Sequence, residues 1–418
     1  GVYHYHSKDH SLMKRMDATG PFLEGIGNDC YIALTSLFWR EKWKYGERAF
    51  RYCHIDLGHA LAALRYSLAL FGWSAIALTE LADDTVAKIT GINRIEDFPI
   101  DDEREFPGLI IKLNLDRMTN DKNQLDASLK KIENLASRAL GSVWQGKADS
   151  ISKHQHKIWN RVEEVAEDAK IIDTKSRYWI APKRPFDISP ALDLNGAKLI
   201  KQRRSATSFD AQFTLPFKSF ARILEATMVA YERVPFDIYQ VKPTISLLLL
   251  VHSVSNLDNG LYLLPRISSS INKLQSLIRS EFDWENKKVE DIELLSLRKT
   301  NSREFAQIAA CHQSIAAHSS FSLFMLADFK EQITNEPSRY KDIYIEAGVI
   351  GHALYLEAEA AGVRGVGIGC FFDDFIHEML GIKDNSYQVV YGFTIGKPIH
   401  DSRFKTFEPY KTKSKKVL

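Results

Sequence analysis

Residues 56–92 read DLGHALAALRYSLALFGWSAIALTELADDTVAKITGI, and residues 346–382 read EAGVIGHALYLEAEAAGVRGVGIGCFFDDFIHEMLGI. At a constant offset of 290, without gaps, eight of 37 positions are identical: Gly58/Gly348, Ala63/Ala353, Leu64/Leu354, Gly72/Gly362, Asp83/Asp373, Asp84/Asp374, Gly91/Gly381 and Ile92/Ile382. Asp56/Glu346, Ile76/Val366 and Val86/Ile376 extend the match conservatively. A repeat of this length points to one supersecondary unit built twice. A shorter match joins Gly1-Val2-Tyr3 to Gly260-Leu261-Tyr262 at offset 259, so the connecting loops differ by 290 − 259 = 31 residues.

The repeated unit has a physical order. The second copy starts with a strand over 247–253, a turn at Asp258-Asn259-Gly260 where Asn-Gly supplies positive φ, and a short strand over 261–264. An Ala- and Leu-rich helix follows over 344–361, stopped by Gly362. Its small residues Ala347, Gly348, Gly351, Ala353 and Ala358 would let another helix pack closely, and residues 56–71 form the matching helix of the first copy. Then come a strand, a helix opened by paired carboxylates (Asp83-Asp84, Asp373-Asp374) that suit the positive helix N-terminus, and a strand over 387–395. The second copy has a section before Gly260, from about residue 199, with no counterpart before Gly1. The first copy therefore reads as lacking its N-terminal part, and strand-like Val2–Tyr5 reads as the interior of a domain. This divides the chain into 1–119 (first copy), 120–192 (a helical then Pro-marked connection, with apolar spacing at Leu125, Leu129, Ile132 and Leu135), and 193–418 (second copy).

Composition narrows the function classes. Lysine and arginine number 55 against 53 acidic residues, a net charge of +2, so no global field draws nucleic acid or an anionic membrane. The basic tail (Lys411, Lys413, Lys415, Lys416) reads as a solvated terminus. The longest apolar run, 245–251, falls far short of the ~20 residues a bilayer span requires. Four dispersed cysteines without a CxxC pair (Cys30, Cys53, Cys311, Cys370) make no disulfide framework, which points to a reducing, cytoplasmic compartment. His154 and His156, His54 and His59, and His4, His6 and His10 lack zinc-site spacing, so no metal is expected. Gly365-Val366-Gly367-Ile368-Gly369 is not GxGxxG and follows a helix, which excludes a Rossmann loop. The aromatics between Phe38 and Tyr52 carry interleaved charges of both signs, favouring packing or a substrate channel over base stacking. Residues 305–324 read as a core helix with Cys311, Ile315 and Ala316 facing inward. Cys370 reads as a small residue flanked by Asp373 and Asp374, which oppose thiolate formation.

Lys201-Gln202-Arg203-Arg204-Ser205 opens the second copy and by itself reads either as a solvated basic helix start or as a phosphate clamp, since guanidinium forks match phosphate oxygens bidentately. This run resembles the Arg-x-Ser opening of the nitroreductase superfamily. Glu346-Ala347-Gly348, the stretch 365–374 and Tyr391-Gly392-Phe393-Thr394-Ile395-Gly396-Lys397-Pro398 are similar to the same family's pattern. The first copy resembles one branch, the SagB-type dehydrogenases, in Gly1–Tyr5 with His10-Ser11-Leu12, in the stretch 38–52, and in Asp56-Leu57-Gly58-His59-Ala60.

The resemblance implies an α+β fold in which two nitroreductase-like domains, each a mainly antiparallel sheet flanked by helices, form a pseudo-dimer inside one chain. It implies flavin mononucleotide (FMN) at the seam, with NAD(P)H as an electron donor in nitroreductases proper or oxygen as the acceptor in azoline-oxidising SagB-type enzymes. The substrate would be a small molecule or a peptide, and the chain a monomer or a homodimer. By resemblance, Arg203 contacts the FMN phosphate and Arg204 and Ser205 line the cofactor. Gly369, Cys370 and Phe371 pass the flavin ring edge, and Lys397 or Arg403 offers a second phosphate contact. Glu80 aligns with Cys370 and stands either at the flavin edge of the first copy or on the surface as a helix cap. Two departures from the family pattern stand out: Thr207 replaces a frequent Lys or Arg, and Val234-Pro235-Phe236-Asp237 takes the place of a Pro-Ser-rich cofactor lid. They motivate an alternative of another class, a cofactor-free scaffold or partner-binding protein of the same fold.

Overall fold

A computed structural model describes residues 1–18, 20–115, 122–151, 159–174, 177–183, 194–267, 270–289 and 292–407. The tail lysines, His154, His156 and residues 184–190 of the Pro-marked connection lie outside the described residues.

The apolar run at 245–251 forms β6 (Ile245–Val251), every residue of which is buried. Its side chains alternate between two cores: Leu247, Leu249 and Val251 enter one cluster, Leu248 and Leu250 the other. A strand buried on both faces belongs inside a sheet. The preceding strands are β1 (Val2–His6), β2 (Ser11–Met16), β3 (Cys30–Ser36), β4 (Ser74–Ala77) and β5 (Phe106–Asn114). After β6 come β7 (Gly260–Leu264), β8 (Glu285–Val289), β9 (Ile292–Lys299), β10 (Phe321–Asp328), β11 (Arg364–Ile368) and β12 (Tyr387–Gly396). They assemble as a seven-stranded sheet ordered β11-β12-β10-β6-β7-β9-β8, a three-stranded sheet ordered β3-β5-β4, and the hairpin β1-β2. All pairings are antiparallel.

The offset of 290 reappears in the backbone. β4 and β11 start at Ser74 and Arg364, and the helices after them span Asp83–Thr90 and Asp373–Leu380. Both helices end on a left-handed glycine, Gly91 (φ 78°) and Gly381 (φ 80°). The order β3-β5-β4 mirrors β10-β12-β11, with Ser74 opposite Asn114 and Arg364 opposite Gly396. The likeness stops at the next strand. β6 lies between β10 and β7, whereas β3 pairs only with β5 among the described residues. The β1-β2 hairpin stands apart with Tyr3, Tyr5, Leu12 and Met13 exposed, unlike the fully buried β7 with which the sequence pairs β1.

The two central helices, Ala49–Ala69 and Arg339–Ala360, join the halves. They cross at Gly58 and Gly348. A Cβ at Gly58 would lie 2.1 Å from the Ile345 carbonyl oxygen, and one at Gly348 would lie 2.0 Å from that of Ile55. Ile55 and Ile345 are themselves 290 apart, so the two contacts are reciprocal, as at a local twofold axis.

Two segments differ from the sequence reading. Residues 305–324 are not one helix: Arg303–Ala309 and Ser314–His318 are separate short helices, and the chain then enters β10. Cys311 (φ 54°) and His312 (φ 61°) are left-handed, which no continuous α-helix accommodates. In the 120–192 connection, the helix Lys122–Ala139 buries Leu125, Leu129, Ile132 and Leu135 with Ile76, Leu78, Val86 and Ile110 of the first half. Val162, on the helix Asn160–Asp168, packs with Phe38, Phe50 and Cys53. No helix among the described residues is long and apolar enough to cross a membrane.

Candidate functional site

The helix Gly196–Gln202 starts at Asn195, whose side chain accepts from the Lys198 N–H (2.9 Å), and ends at Arg203. There the chain turns onto the second central helix. The Arg203 guanidinium lies 4.8 Å from the centre of the Tyr355 ring. The Tyr355 hydroxyl is 3.0 Å from Ser205 Oγ and accepts from the Gly367 N–H (2.9 Å). The Ala206 N–H donates to the Gly365 carbonyl (3.1 Å). Tyr355 thus gathers Arg203, Ser205 and β11 around one ring. Sequence reasoning missed it; the available signal was its place seven residues after Gly348, on the same helix face.

Arg204 Nη1 donates to the carbonyls of Lys201 (2.9 Å) and Arg203 (2.7 Å). Among the described residues neither Arg203 nor Arg204 forms an ion pair with a carboxylate. Lys397 Nζ donates to the Gly362 carbonyl (3.2 Å), at the loop just before β11. Arg403 points elsewhere: it is paired with Asp401 at 2.6 Å and its side chain is 87% exposed. On the adjoining wall, Glu359 feels the Arg203 charge but is paired with Arg364 at 3.5 Å. His59 and His352 face each other with ring centres 5.8 Å apart, and His59 Nε2 is 3.3 Å from the Tyr391 hydroxyl. Burial, and then the neighbouring His352 and Arg203 charges, lowers the pKa of His59 to about 3. Burial and Arg203 lower that of His352 to about 4. Both imidazoles are neutral near pH 7, and the net positive charge stays on the arginines.

Beyond β11, the N–H groups of Gly369, Cys370 and Phe371 meet no acceptor among the described residues, whereas that of Phe372 donates to Ala309 (2.8 Å). The Gly369 carbonyl accepts from the Tyr52 hydroxyl of the first central helix. Tyr52 packs on Tyr45 with ring centres 4.1 Å apart. A cavity of about 20 Å³ lies here, lined by Arg48, Arg51, Tyr52, Gly369, Phe371 and Tyr391. Cys370 is not a plain small residue: it is disulfide-bonded to Cys311, with Cα atoms 5.7 Å apart. The two cysteines are 59 residues apart in sequence, and the fold alone brings them together. The reading of the four dispersed cysteines as making no disulfide framework is corrected by this one bond, while Cys30 and Cys53 are free.

The first half presents a different surface at the equivalent position. Glu80 is 1% exposed, which rules out a surface helix cap. Its carboxylate accepts from the Arg177 N–H (3.3 Å) and from Thr79 Oγ1 (3.2 Å), and burial holds its pKa above the usual carboxylate value. The Arg177 side chain bonds Asp342 (3.2 Å), Glu336 and Ser338, and Lys341 is paired with Asp83 at 2.8 Å. A cavity of about 450 Å³ opens nearby, lined in part by Arg65, Trp73, Trp179, Tyr231, Phe236 and Asp237. Phe236 and Asp237 come from the segment that replaces the expected lid. Arg65 forks onto the Asp237 carboxylate (2.6–3.0 Å) and is not free to hold an anion.

An α+β chain whose halves meet through crossed central helices, with a basic run beside a glycine-bearing edge strand, has the architecture of the nitroreductase fold. Residues 200–397 match the Nitroreductase family model, a span that opens just before Arg203 and closes at Lys397. Among solved structures, a provisionally named nitroreductase from Anabaena variabilis ATCC 29413 is similar at 19% identity and a TM-score of 0.65, over 95% of this chain and 77% of that one. This similarity extends the fold over both halves. A provisionally named nitroreductase from Ralstonia eutropha JMP134 is similar at 16% identity and a TM-score of 0.36, over 53% of this chain and 90% of that one. The E. coli microcin synthetase McbBCD complex with truncated pro-MccB17 gives 13% identity and a TM-score of 0.36, over 52% of this chain and 77% of that one. No curated protein matches.

Proposed function

We propose that the chain is an FMN-dependent oxidoreductase that moves two electrons, as a hydride, to or from an organic substrate, with one FMN at the seam between its halves. The observation that carries this reading is the pair Arg203 and Arg204, which form no ion pair with a carboxylate among the described residues and lie inside the span that matches the family model. Two guanidiniums held by carbonyls and an aromatic ring, with Lys397, suit a phosphate dianion. Three successive N–H groups at Gly369–Phe371, without an acceptor among the described residues, suit acceptors on the edge of a planar ring. Bound FMN supplies the hydride chemistry, and the protein's task is to hold and orient it.

In this reading Arg203 and Arg204 hold the phosphate, Ser205 and Tyr355 fix the run that carries them, and the 369–371 backbone orients the ring. The neutral His59 and His352 keep the positive potential concentrated at the arginines. Admitting the ring requires the Tyr45–Tyr52 pair to swing away from Gly369, because the present cavity holds no more than a water molecule or two. At the equivalent place in the first half, Arg177 and the buried Glu80 fill the site, so one FMN per chain is expected. The SagB-like stretch 38–52 favours oxidation of azoline rings on a peptide; the nitroreductase model favours reduction of nitro or quinone groups by NAD(P)H.

The small ring-edge cavity favours one competing reading, a cofactor-free scaffold. An absorption spectrum decides between them. A band near ~450 nm, with FMN released on denaturation at one per chain, supports the enzyme. A colourless protein that refuses added FMN supports the scaffold. For a yellow protein, consumption of NAD(P)H separates a reductase from an oxygen-using oxidase.

A further inference from the structure

We propose that Cys311–Cys370 is a thiol–disulfide exchange site, a tether that a dithiol opens to release the 369–372 loop; its effect on cofactor binding rests on the FMN reading above. Cys370 is exposed and Cys311 half-buried, so the bond is open to a reagent from solution. Exposed disulfides are the labile, exchange-prone class, in contrast to staples sealed in a core.

The turn at Cys311 adds a second, independent observation. Cys311 and His312 are consecutive non-glycine residues in the left-handed region (φ 54° and 61°), a conformation that persists only where surrounding contacts impose it. Besides the local bonds of Gln313 to the Ala310 carbonyl, three contacts join this turn to the 370–372 loop. The Phe372 N–H donates to Ala309 (2.8 Å), Gln313 Nε2 reaches the Cys370 carbonyl at a long 3.4 Å, and the His312 and Phe372 rings are 5.8 Å apart. The disulfide is the single covalent member of this set.

The loop is held from two directions, by Cys311 on one side and by the Tyr52 hydroxyl on the Gly369 carbonyl on the other. Opening the bond leaves only hydrogen bonds on the loop, chiefly the Tyr52 hydroxyl on the Gly369 carbonyl and the Phe372 N–H on Ala309. The first half has no such device, because Glu80 stands where Cys370 stands in the second. The tether therefore acts only on the seam that carries Arg203.

The exchange balances with a dithiol as reductant. Its thiolate attacks the exposed Cys370 Sγ, the Sγ–Sγ bond breaks, and Cys311 leaves as a thiolate that takes a proton. The reagent's second thiol then attacks its own sulfur in the mixed disulfide, freeing Cys370 as a thiol. The protein gains two electrons and two protons, and the reagent leaves as a disulfide.

The test uses the intact chain. Protein alkylated before denaturation, then digested and mapped, should yield Cys311 and Cys370 as one linked peptide with Cys30 alkylated; after dithiothreitol both should label. Amide exchange at Phe372, Ala310 and Gln313, whose N–H groups donate to the carbonyls of Ala309, Ala306 and Ala310, should accelerate about tenfold on reduction while the central helices stay protected. The double variant C311S/C370S should show the fast rate with and without dithiothreitol. Labelling of Cys311 and Cys370 in untreated protein would overturn the proposal, as would equal exchange rates in oxidised and reduced wild type. FMN affinity, measured in both states, should change several-fold; equal affinity overturns its effect on the cofactor. Failure of FMN to bind in either state, with exchange still responding to dithiothreitol, removes the cofactor reading and leaves the tether.

Discussion

Cys370 and Glu80 occupy the same place in the two halves, one just after β11 and the other just after β4. Cys370 is exposed, covalently tied to Cys311 and set between Gly369 and Phe371, whose N–H groups meet no acceptor among the described residues. Glu80 is sealed under Arg177 among paired charges. The central helices, by contrast, meet through the same residue on both sides, Gly58 against Gly348. Symmetry survives where two backbones must touch, because only glycine fits there. It is lost at Glu80 and Cys370, the place where the FMN reading proposed above puts the edge of the ring.

The largest predicted effect tests the symmetric part. Gly58→Leu drives a side chain into the Ile345 carbonyl, and Gly348→Leu does the same to Ile55. Each should cost more than about 4 kcal/mol and leave little folded protein, as measured by urea unfolding. A stable variant at either position would mean that the helices do not cross there. Next comes Glu346→Ala, which strands the fully buried Arg266 that it pairs with. That variant should lose about 3–5 kcal/mol, whereas Asp56→Ala, at the equivalent position of the first half, should lose far less.

The asymmetric part is sharpened by Arg203→Ala. It should weaken FMN binding about thirtyfold with little change in stability, the scale of one charge-assisted phosphate contact. Glu80→Gln should leave FMN affinity unaltered. If both variants weaken FMN equally, the first half also holds cofactor and the contrast drawn above fails. A smaller effect comes from pH. Burial holds His54, His59 and His252 neutral, with pKa values of about 3. Below pH 6.5 the unfolded chain binds protons that the folded chain refuses, so stability falls as pH drops. By pH 5.5 the loss should reach about 1 kcal/mol per histidine, partly offset by Asp56, whose pKa is raised to about 6. Urea midpoints at pH 7.5 and 5.5 read the difference directly. Arg403→Ala, at a local pair whose arginine side chain is 87% exposed, should change neither stability nor FMN binding measurably.

Much of the fold was legible because it rests on local signals that repeat. Glycines at 58 and 348, 72 and 362, and 91 and 381 mark a close crossing and two kinds of turn, and each keeps that role in the backbone. The basic run at 203–205 was legible as a phosphate clamp from residue type alone, but Tyr355, which organises it, was not. The Cys311–Cys370 bond left no trace, since its partners are 59 residues apart and follow no cysteine spacing pattern. Residues 305–324 misled because small and apolar residues without clear periodicity suit a helix or a buried strand equally. The role of 170–181 was hidden for a different reason. Arg177 and Trp179 bond residues far away in sequence, and nothing nearby advertises those partners.

The crossing at Gly58 and Gly348 joins points 290 residues apart on one polypeptide. Were the halves separate chains, that contact would obey mass action and come apart on dilution. Within one chain, each half meets the other at an effective concentration of about a millimolar, set by the connection and not by how much protein is present. The seam, and whatever binds in it, is therefore assembled even when the molecule is alone.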